Sequence, residues 1–306
     1  MALKDKPLLV VVTGPTGSGK TDMAIDLALK YGTEIISADS RQVYRDMPII
    51  TAAPTPRQKA MVPHHLVECL DITENYSAAR FADDALRIAD TLFSRHGVAV
   101  VCGGSMMYLD ALVNGIDPLP AISPQVRRHV SEIADSQGLP AMLDMLQKLD
   151  PEYFETVDRC NPRRVAHALE IIMQSGQKFS DLRTGTRVER PFRVEVRIPQ
   201  MSRETLFSRI NARTAAMEAA GIEDEARRHY THRHLNALNT VGFKEWFDHF
   251  DALNGTYVSP TQLPKGEDPA RLYPYNRDAV VARIAKNTRL YAKKQLTWLA
   301  AHPFDV

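Results

Sequence analysis

The stretch Gly14-Pro15-Thr16-Gly17-Ser18-Gly19-Lys20-Thr21 decides the fold class of this chain. It matches the pattern G-x-x-x-x-G-K-[ST], with an apolar, β-branched run at residues 8–12 before it and a helical pattern after it. Between a strand and a helix, such a loop wraps its backbone N–H groups around a diphosphate, while Lys20 reaches the phosphate oxygens and Thr21 holds Mg²⁺. We therefore predict a phosphate-binding loop rather than a structural glycine-rich turn. The motif alone does not identify the phosphate compound.

Apolar runs of strand length alternate with helical patterns in the first part of the chain. Because helices that connect parallel strands cover the faces of the sheet, this alternation predicts a parallel α/β sheet with ligands at the carboxyl ends of its strands. The predicted strands are residues 8–13, 34–37 and 98–102. The predicted helices are one that follows the loop and ends at about residue 30, one at residues 77–95 and one at residues 105–112.

A proline-rich linker follows this α/β segment, and the character of the chain changes there. Residues 123–185 carry helical patterns without convincing strands, whereas strand-like alternation and amphipathic helices return from residue 193 onward. We predict an α/β fold with a P-loop NTPase-like parallel sheet core flanked by helices, together with a helical insertion domain. The core is predicted at residues 1–117 and 191–306, and the insertion domain at residues 118–190.

Composition and charge exclude several classes of protein. The 306 residues carry a formal net charge of +1, so the charge of the whole chain gives no argument for a nucleic-acid partner. The three cysteines lie far apart and form no C-x-x-C pair, which argues against a disulfide scaffold and a zinc finger. The residues before Leu8 hold no apolar signal core, and no run reaches membrane-spanning length. We therefore expect a cytoplasmic protein without a membrane partner.

The strand at residues 98–102 ends without the carboxylate that positions Mg²⁺ in ordinary P-loop ATPases and GTPases. The nearest candidate is Asp39, which follows the strand at residues 34–37. This carboxylate fits a metal partner, a contact to the acceptor of a kinase, a general base or the N-cap of a turn. Gly103-Gly104 lets the backbone approach a ligand closely, and Ser105 after it is either a ligand contact or a plain N-cap.

Three further groups of residues leave alternatives open. Adjacent histidines seldom bind one metal ion, so His64 and His65 are predicted to make hydrogen bonds in a loop. Arg163 and Arg164, at a predicted helix start, fit a phosphate clamp and a solvated face equally well. After a long loop predicted at residues 254–275, the final helix at 276–301 is basic with interleaved aromatic residues, which favours a phosphodiester-binding face. The basic residues of this region are Arg271, near the end of the predicted loop, and Arg277, Arg283, Lys286, Arg289, Lys293 and Lys294 of the helix.

Nine motifs, which span nearly the whole chain, give a resemblance to a known family. The first two are the loop at residues 14–21 and Asp39-Ser40-Arg41-Gln42-Val43-Tyr44. The others are Thr51-Ala52-Ala53-Pro54-Thr55, Pro63-His64-His65-Leu66, Gly103-Gly104-Ser105, Asn161-Pro162-Arg163-Arg164, Arg209-Ile210 with Arg213, Val241-Gly242-Phe243-Lys244-Glu245 and Lys294-Gln295-Leu296-Thr297-Trp298. In these motifs the chain resembles the tRNA dimethylallyltransferases, which prenylate N6 of an adenine beside the anticodon.

The resemblance implies that the loop holds the diphosphate of dimethylallyl diphosphate rather than a nucleotide to be hydrolysed. It implies transfer of the dimethylallyl group, by a monomer, to adenine 37 of tRNAs that read codons beginning with U. In these roles Asp39 accepts the proton of N6 and Ser105 holds the N6 group. Lys20, Arg213 and Mg²⁺ near Thr21 stabilise the departing diphosphate.

The resemblance also implies contacts from both predicted domains to the anticodon stem-loop of tRNA. The implied contact residues are Asp39, Ser40, Arg41, Gln42, Ser105, Arg127, Arg163, Arg164, Asn239, Thr240, Val241, Gly242, Phe243 and Lys244. Ser105 stands where the family more often has Thr, and it keeps the hydroxyl. Ile50 and Ala53 replace a frequent Gly and a frequent Lys, so no substrate role is assigned to their loop.

Three other functions compete with this interpretation. An adenylate isopentenyltransferase acting on free AMP or ATP shares the phosphate loop and the aspartate. A small-molecule kinase would use Asp39 to contact its phosphoryl acceptor. A non-catalytic RNA- or nucleotide-binding module is the third alternative. The helical insertion and the basic final helix favour tRNA over a free nucleotide, since a free nucleotide needs neither.

Overall fold

A five-stranded parallel sheet lies at the centre of the computed structural model, which describes residues 6–185, 187–254 and 276–302. The order of the strands is β3-β2-β4-β1-β5, and every neighbouring pair is parallel, so the predicted fold class is confirmed. The strands are β1 (Leu8–Val12), β2 (Ile35–Ser37), β3 (His64–His65), β4 (Val98–Cys102) and β5 (Arg193–Arg197).

Helices surround the sheet and also build a second unit. The described residues form α1 (Lys20–Tyr31), α2 (Pro48–Thr51), α3 (Pro56–Met61), α4 (Ala78–His96), α5 (Met106–Asn114), α6 (Pro124–Leu149), α7 (Pro151–Thr156), α8 (Pro162–Ser175), α9 (Phe179–Leu182), α10 (Arg203–Ala219), α11 (Ile222–His229), α12 (Phe243–Leu253) and α13 (Arg277–Ala301). Within the described ranges, none of the helices combines the length and the hydropathy that crossing a membrane requires.

Strand β1 contributes to two hydrophobic clusters, because successive side chains of a strand point to opposite faces of the sheet. Val10 belongs to a cluster with Ile25 of α1. Leu9 belongs to a second cluster, with Phe81 of α4 and Trp246 of α12. Both faces of β1 are therefore covered, which explains why its sequence is apolar at every position instead of alternating.

The chain divides into two compact units. The first contains the described residues of Met1–Val113 and Arg190–Val306 and holds the sheet. The second is Asn114–Glu189, whose regular elements are α6 to α9. The insertion domain predicted at residues 118–190 overlaps this second unit, and its role in RNA binding stays a prediction.

Within the second unit, α6 and α8 pack against each other. Helix α6 is interrupted at Gly138, where φ is 74°, and Pro140 starts the next helical segment without losing a needed hydrogen bond. The cluster between the two helices contains Val130 and Leu146 of α6 and Leu169 of α8.

The loop predicted for His64 and His65 is wrong in one respect, because the two residues form β3 and pair with β2. Their hydrogen bonds are confirmed: His65 Nε2 lies 2.6 Å from Glu34 Oε2, and His64 Nδ1 lies 2.8 Å from Val62 O. Two residues show no periodicity from which a strand can be predicted. The loop predicted at residues 254–275, with Arg271, lies outside the described residues beyond Asn254.

Asp150 is a buried carboxylate that ties α7 to α9 in the second unit. It accepts hydrogen bonds from Tyr153 N (3.0 Å), Ser180 N (2.8 Å) and Ser180 Oγ (2.8 Å). Burial disfavours the charged form, but these hydrogen bonds outweigh burial and lower the pKa of Asp150 below its ordinary value.

We expect Asp150→Ala to lower the free energy of unfolding by about 2–4 kcal/mol at pH 7, because the donors of Ser180 and Tyr153 lose a charged acceptor. The folded-state pKa is depressed, so this stabilisation is present above about pH 4 and is lost as the pH falls through the folded-state pKa. Urea unfolding at pH 7 and pH 3 measures both effects, with exposed Asp144→Ala of α6 as the control. An Asp150→Ala effect no larger than that of the control would contradict this account.

Candidate active site

Three strands end at the same edge of the sheet, and backbone hydrogen bonds join their ends. Gly103 N donates to Val12 O (3.1 Å), and Ala38 N donates to Cys102 O (2.8 Å). The segments that follow β1, β2 and β4 are therefore held side by side. These segments carry the phosphate loop at residues 14–21, Asp39 and Ser105.

Gly103 and Gly104 are required because the chain packs closely against itself at this edge. A Cβ atom on Gly103 would lie 2.0 Å from Ala38 O, and a Cβ atom on Gly104 would lie 2.5 Å from Gln295 Nε2. The contacts that exclude a side chain here are made by the protein itself. Both glycines also line a cavity at this edge, and their close approach to a ligand stays a prediction.

Ser105 and Asp39 both fix the turn that follows β2. Ser105 Oγ accepts from Ser40 N (2.8 Å), so the hydroxyl oxygen links the ends of β2 and β4 instead of serving only as an N-cap. Asp39 Oδ1 accepts from Arg41 N (2.9 Å) and Gln42 N (3.2 Å). One carboxylate oxygen of Asp39 thus stabilises the turn, as one of the predicted alternatives has it. These two hydrogen bonds fix the orientation of the carboxylate.

Lys20 folds back onto its own loop, where Nζ donates to Pro15 O (2.8 Å). Burial lowers the pKa of Lys20 to about 8, although the negative charge of Asp39 opposes the shift. Arg213, a second cation, lowers this pKa further. The lysine is therefore desolvated and close to other charges before any ligand binds.

Thr16 is held from two directions. Arg213 Nη2 donates to Thr16 Oγ1 (2.6 Å), and Thr16 N donates to Gln295 Oε1 (2.8 Å). Arg209 lies one helical turn before Arg213 on α10, and its guanidinium Nη2 would lie 3.2 Å from a Cβ atom on Gly19. Two arginines of α10 thus approach the phosphate loop.

Two cavities meet at this edge of the sheet. The loop cavity, of about 640 Å³, is bounded by the phosphate loop, residues 49–55 and α10. The serine cavity, of about 300 Å³, is bounded by Ser105 and residues 239–242. Six residues line both cavities and form the boundary between them: Thr16, Asp39, Thr51, Arg213, Met217 and Tyr291.

The predicted diphosphate-binding residues divide into two sets. Thr16, Gly17, Gly19, Lys20 and Thr21 line the loop cavity, whereas Gly14, Pro15 and Ser18 are buried behind them. Residues 51–55, to which no substrate role was assigned from the sequence, also line this cavity.

Most of the tRNA-contact residues predicted in the first unit gather at the serine cavity. They are Asp39, Ser40, Arg41, Ser105, Asn239, Thr240, Val241, Gly242 and Lys244. Gln42 instead lines the loop cavity, where Nε2 donates to Thr51 O (3.1 Å) and Ala52 O (3.0 Å). The tRNA contact predicted for Phe243 is corrected by the structure, because this residue is fully buried and its ring stacks on Phe247. Phe243 therefore supports the loop from the hydrophobic core rather than contacting RNA.

The three arginines predicted to contact tRNA from the insertion belong to the second unit. Arg127 lies in the first turn of α6, and Arg163 and Arg164 lie in the first turn of α8. All three side chains are exposed. Their contact with RNA stays a prediction.

Two arginines of the predicted basic face of α13 make ion pairs within the first unit. Arg277 pairs with Glu218 and Glu223 at 3.5 Å, and Arg283 pairs with Asp248 at 3.5 Å. Three lysines of this helix, Lys286, Lys293 and Lys294, are exposed, and phosphodiester binding by this face stays a prediction.

A different face of α13 forms a wall of both cavities. Ile284 and Thr288 line the serine cavity, Tyr291 lines both cavities, and Gln295 lines the loop cavity. Their spacing of four, three and four residues is that of one helix face. Gln295 and Arg209 belong to two of the family motifs, but neither was predicted to have a role. The spacing of the four cavity-lining residues along α13 is the sequence signal that would have identified this face of the helix.

The parallel sheet, the phosphate loop after β1 and a carboxylate between two cavities define a group-transfer enzyme of the P-loop type. A family model described as IPP transferase matches residues 42–302, and the chain belongs to this family. The resemblance drawn from the nine motifs is therefore confirmed.

Two named relatives and one crystal structure that are similar to this chain are described as transferases, in agreement with the family's name. The chain is 41% identical to tRNA dimethylallyltransferase 2 of Parabacteroides distasonis, over 96% of this chain and 92% of that protein. It is 42% identical to tRNA dimethylallyltransferase 1 of Bacteroides thetaiotaomicron, over 95% and 88% of the two chains. The crystal structure of the tRNA isopentenylpyrophosphate transferase of Bacillus halodurans matches with a TM-score of 0.63 at 30% identity, covering 98% of this chain and 88% of that one.

A eukaryotic dimethylallyltransferase acting on tRNA has the same fold. It matches with a TM-score of 0.75 at 24% identity, covering 96% of this chain and 70% of that chain.

Burial lowers the pKa of Lys20 to about 8, so the cationic fraction of the lysine falls as the pH rises from 7 to 9, and we expect the affinity for inorganic diphosphate to fall with it. Lys20→Met should weaken binding about 10- to 100-fold at pH 7, because a charged hydrogen-bond donor is lost. It should also remove the lysine's share of the pH dependence. Isothermal titration calorimetry with diphosphate and Mg²⁺ measures the affinity and its pH dependence. Protonation of the diphosphate itself affects the wild type and the variants equally. Exposed Lys30→Met of α1 is the control, and equal pH profiles for wild type and Lys20→Met would contradict the assignment.

Proposed function

We propose that the protein transfers the dimethylallyl group of dimethylallyl diphosphate to N6 of adenine 37 in tRNA and releases diphosphate. The observation that carries this proposal is the position of Asp39 at the boundary of the loop cavity and the serine cavity. A diphosphate at the phosphate loop and a base in the serine cavity would place the reacting carbon and the amine beside this carboxylate. Such a juxtaposition is what a transfer between two bound substrates requires.

The transfer forms a bond between N6 and the first carbon of the allyl group, and it breaks the bond between that carbon and a diphosphate oxygen. The lone pair of the adenine amine is delocalised into the ring, so removal of an N6 proton favours the attack. Asp39 takes this proton. Ser105 Oγ accepts from Ser40 N with one lone pair, and its second lone pair can accept from an N–H of the adenine amine.

The departing diphosphate needs positive charge and N–H donors on the loop side. Lys20 and Arg213 supply the charge, and Arg209 approaches Gly19 from α10. The first turn of α1 presents backbone N–H groups without partners in the helix, and its dipole favours an anion at this end. An allylic carbon tolerates positive charge, so the barrier depends on stabilising the anion that leaves.

The loop cavity also fits Mg²⁺, which prefers oxygen ligands and usually shares them with substrate phosphates. Thr21 and Asp22 line this cavity, and the hydroxyl of Thr21 and the carboxylate of Asp22 would hold the ion. When bound, Mg²⁺ neutralises charge on the diphosphate.

A macromolecular acceptor explains features that a free nucleotide does not. The target base must leave the anticodon stack to enter the serine cavity, as in other enzymes that modify a base. Arg41, beside that cavity, and the exposed Arg127, Arg163 and Arg164 of the second unit are proposed to bind the stem-loop. An adenylate isopentenyltransferase would need none of these arginines.

Incubation of the protein with labelled dimethylallyl diphosphate, Mg²⁺ and either unmodified tRNA or AMP tests the proposed acceptor. We expect label in tRNA at adenine 37 and none in AMP. Label in AMP alone would replace the proposal with the adenylate alternative. Transfer of phosphate from ATP to a small molecule would replace it with a kinase.

Asp39→Asn tests the general base with the turn preserved, since an amide oxygen can still accept from Arg41 N and Gln42 N. We expect kcat to fall about 10²- to 10⁴-fold, while the Kd for tRNA changes by less than about 2-fold. Single-turnover kinetics and a filter-binding titration measure the two quantities. Loss of tRNA binding with an intact chemical step would contradict the assignment.

A further inference from the structure

Gln295 is a buried polar residue that the proposed reaction does not use. Gln295 lies in the next-to-last turn of α13 and is only 2% exposed. Its amide makes two hydrogen bonds: Oε1 accepts from Thr16 N (2.8 Å), and Nε2 donates to Gly104 O (2.9 Å). Both partners are backbone groups, and they belong to loops that follow different strands.

The two partners of Gln295 belong to opposite sides of the proposed reaction. Thr16 lies in the phosphate loop, and its hydroxyl also accepts from Arg213. Gly104 directly precedes Ser105, which lines the serine cavity. One amide therefore joins the loop that would hold the donor to the turn that would hold the acceptor.

We propose that Gln295 is a positioning residue that sets the distance between the donor bound at the phosphate loop and the amine held by Ser105. This inference rests on the proposed transfer reaction. Because both partners are backbone groups, the amide fixes the course of the two loops themselves rather than the rotamer of one side chain. An error of about 1 Å between reacting groups costs on the order of 100-fold in rate.

A primary amide satisfies both partners at once, because it offers an acceptor to Thr16 N and a donor to Gly104 O. A methionine of similar length fills the same space and satisfies neither partner. The close approach of Nε2 to Gly104, which leaves no room for a Cβ atom there, shows how tightly the amide is seated.

The test compares Gln295→Met with exposed Thr297→Ala on the same helix, in the full-length protein. We expect Gln295→Met to lower kcat about 10- to 100-fold at saturating dimethylallyl diphosphate, with the Kd for tRNA changed by less than about 2-fold. Thr297→Ala should keep the wild-type kcat. A purely structural role predicts instead a fall in melting temperature and tRNA affinity with kcat of the folded fraction unchanged, and this result would overturn the proposal.

A second experiment remains decisive even if Gln295→Met folds poorly. Gly104→Ala places a Cβ atom against the Gln295 amide and should lower kcat by a similar factor. In the Gln295→Ala background that neighbour is absent, so Gly104→Ala should add less than about 2-fold. Independent, multiplying effects would show that the two residues are uncoupled and would contradict the proposal.

These outcomes are separable from failure of the proposed function. If the wild-type protein modifies tRNA and every Gln295 variant retains the wild-type kcat, only the positioning role is contradicted. If the wild-type protein transfers no dimethylallyl group to tRNA, the proposed function is contradicted, and the inference falls with it.

Discussion

The backbone hydrogen bonds between strand ends are the constraint on which the rest of the site depends. Gly103 N to Val12 O and Ala38 N to Cys102 O hold β1, β2 and β4 level at one edge. Because the carboxyl ends of all strands in a parallel sheet lie on the same side, the three loops that follow these strands lie there together. The phosphate loop, the Asp39 turn and the Ser105 turn owe their proximity to this edge. Side-chain bonds such as Ser40 N to Ser105 Oγ then adjust their spacing.

Much of this arrangement could be predicted from the sequence, because its signals are local. The strand predicted at residues 98–102 has the same bounds in the structure, and the helix predicted at residues 77–95 lies at Ala78–His96. A buried strand is a short apolar run, and a phosphate loop is a fixed pattern. Lys20 lies in that loop, and Asp39 and Ser105 lie two and three residues after the last residues of β2 and β4, so their positions at the site follow from their neighbours in the chain.

The residues that close the site from a distance could not be predicted in the same way. Gln295 contacts Thr16 across 279 positions, and no local pattern shows that contact. No local pattern shows that Arg277 of α13 pairs with Glu218 of α10, because this contact depends on how the two helices pack. Phe243 looked like a loop aromatic available to RNA, yet it is the first residue of α12 and lies in the core. Tertiary packing decides each of these cases.

The central claim is that the phosphate loop holds the leaving group of a prenyl donor and does not hydrolyse a nucleotide. Its most direct test is the yield of inorganic diphosphate in a single turnover with tRNA, dimethylallyl diphosphate and Mg²⁺, without any nucleotide. We predict one diphosphate released for each dimethylallyl group found on adenine 37. A requirement for ATP, or release of ADP and phosphate in step with modification, would contradict the account.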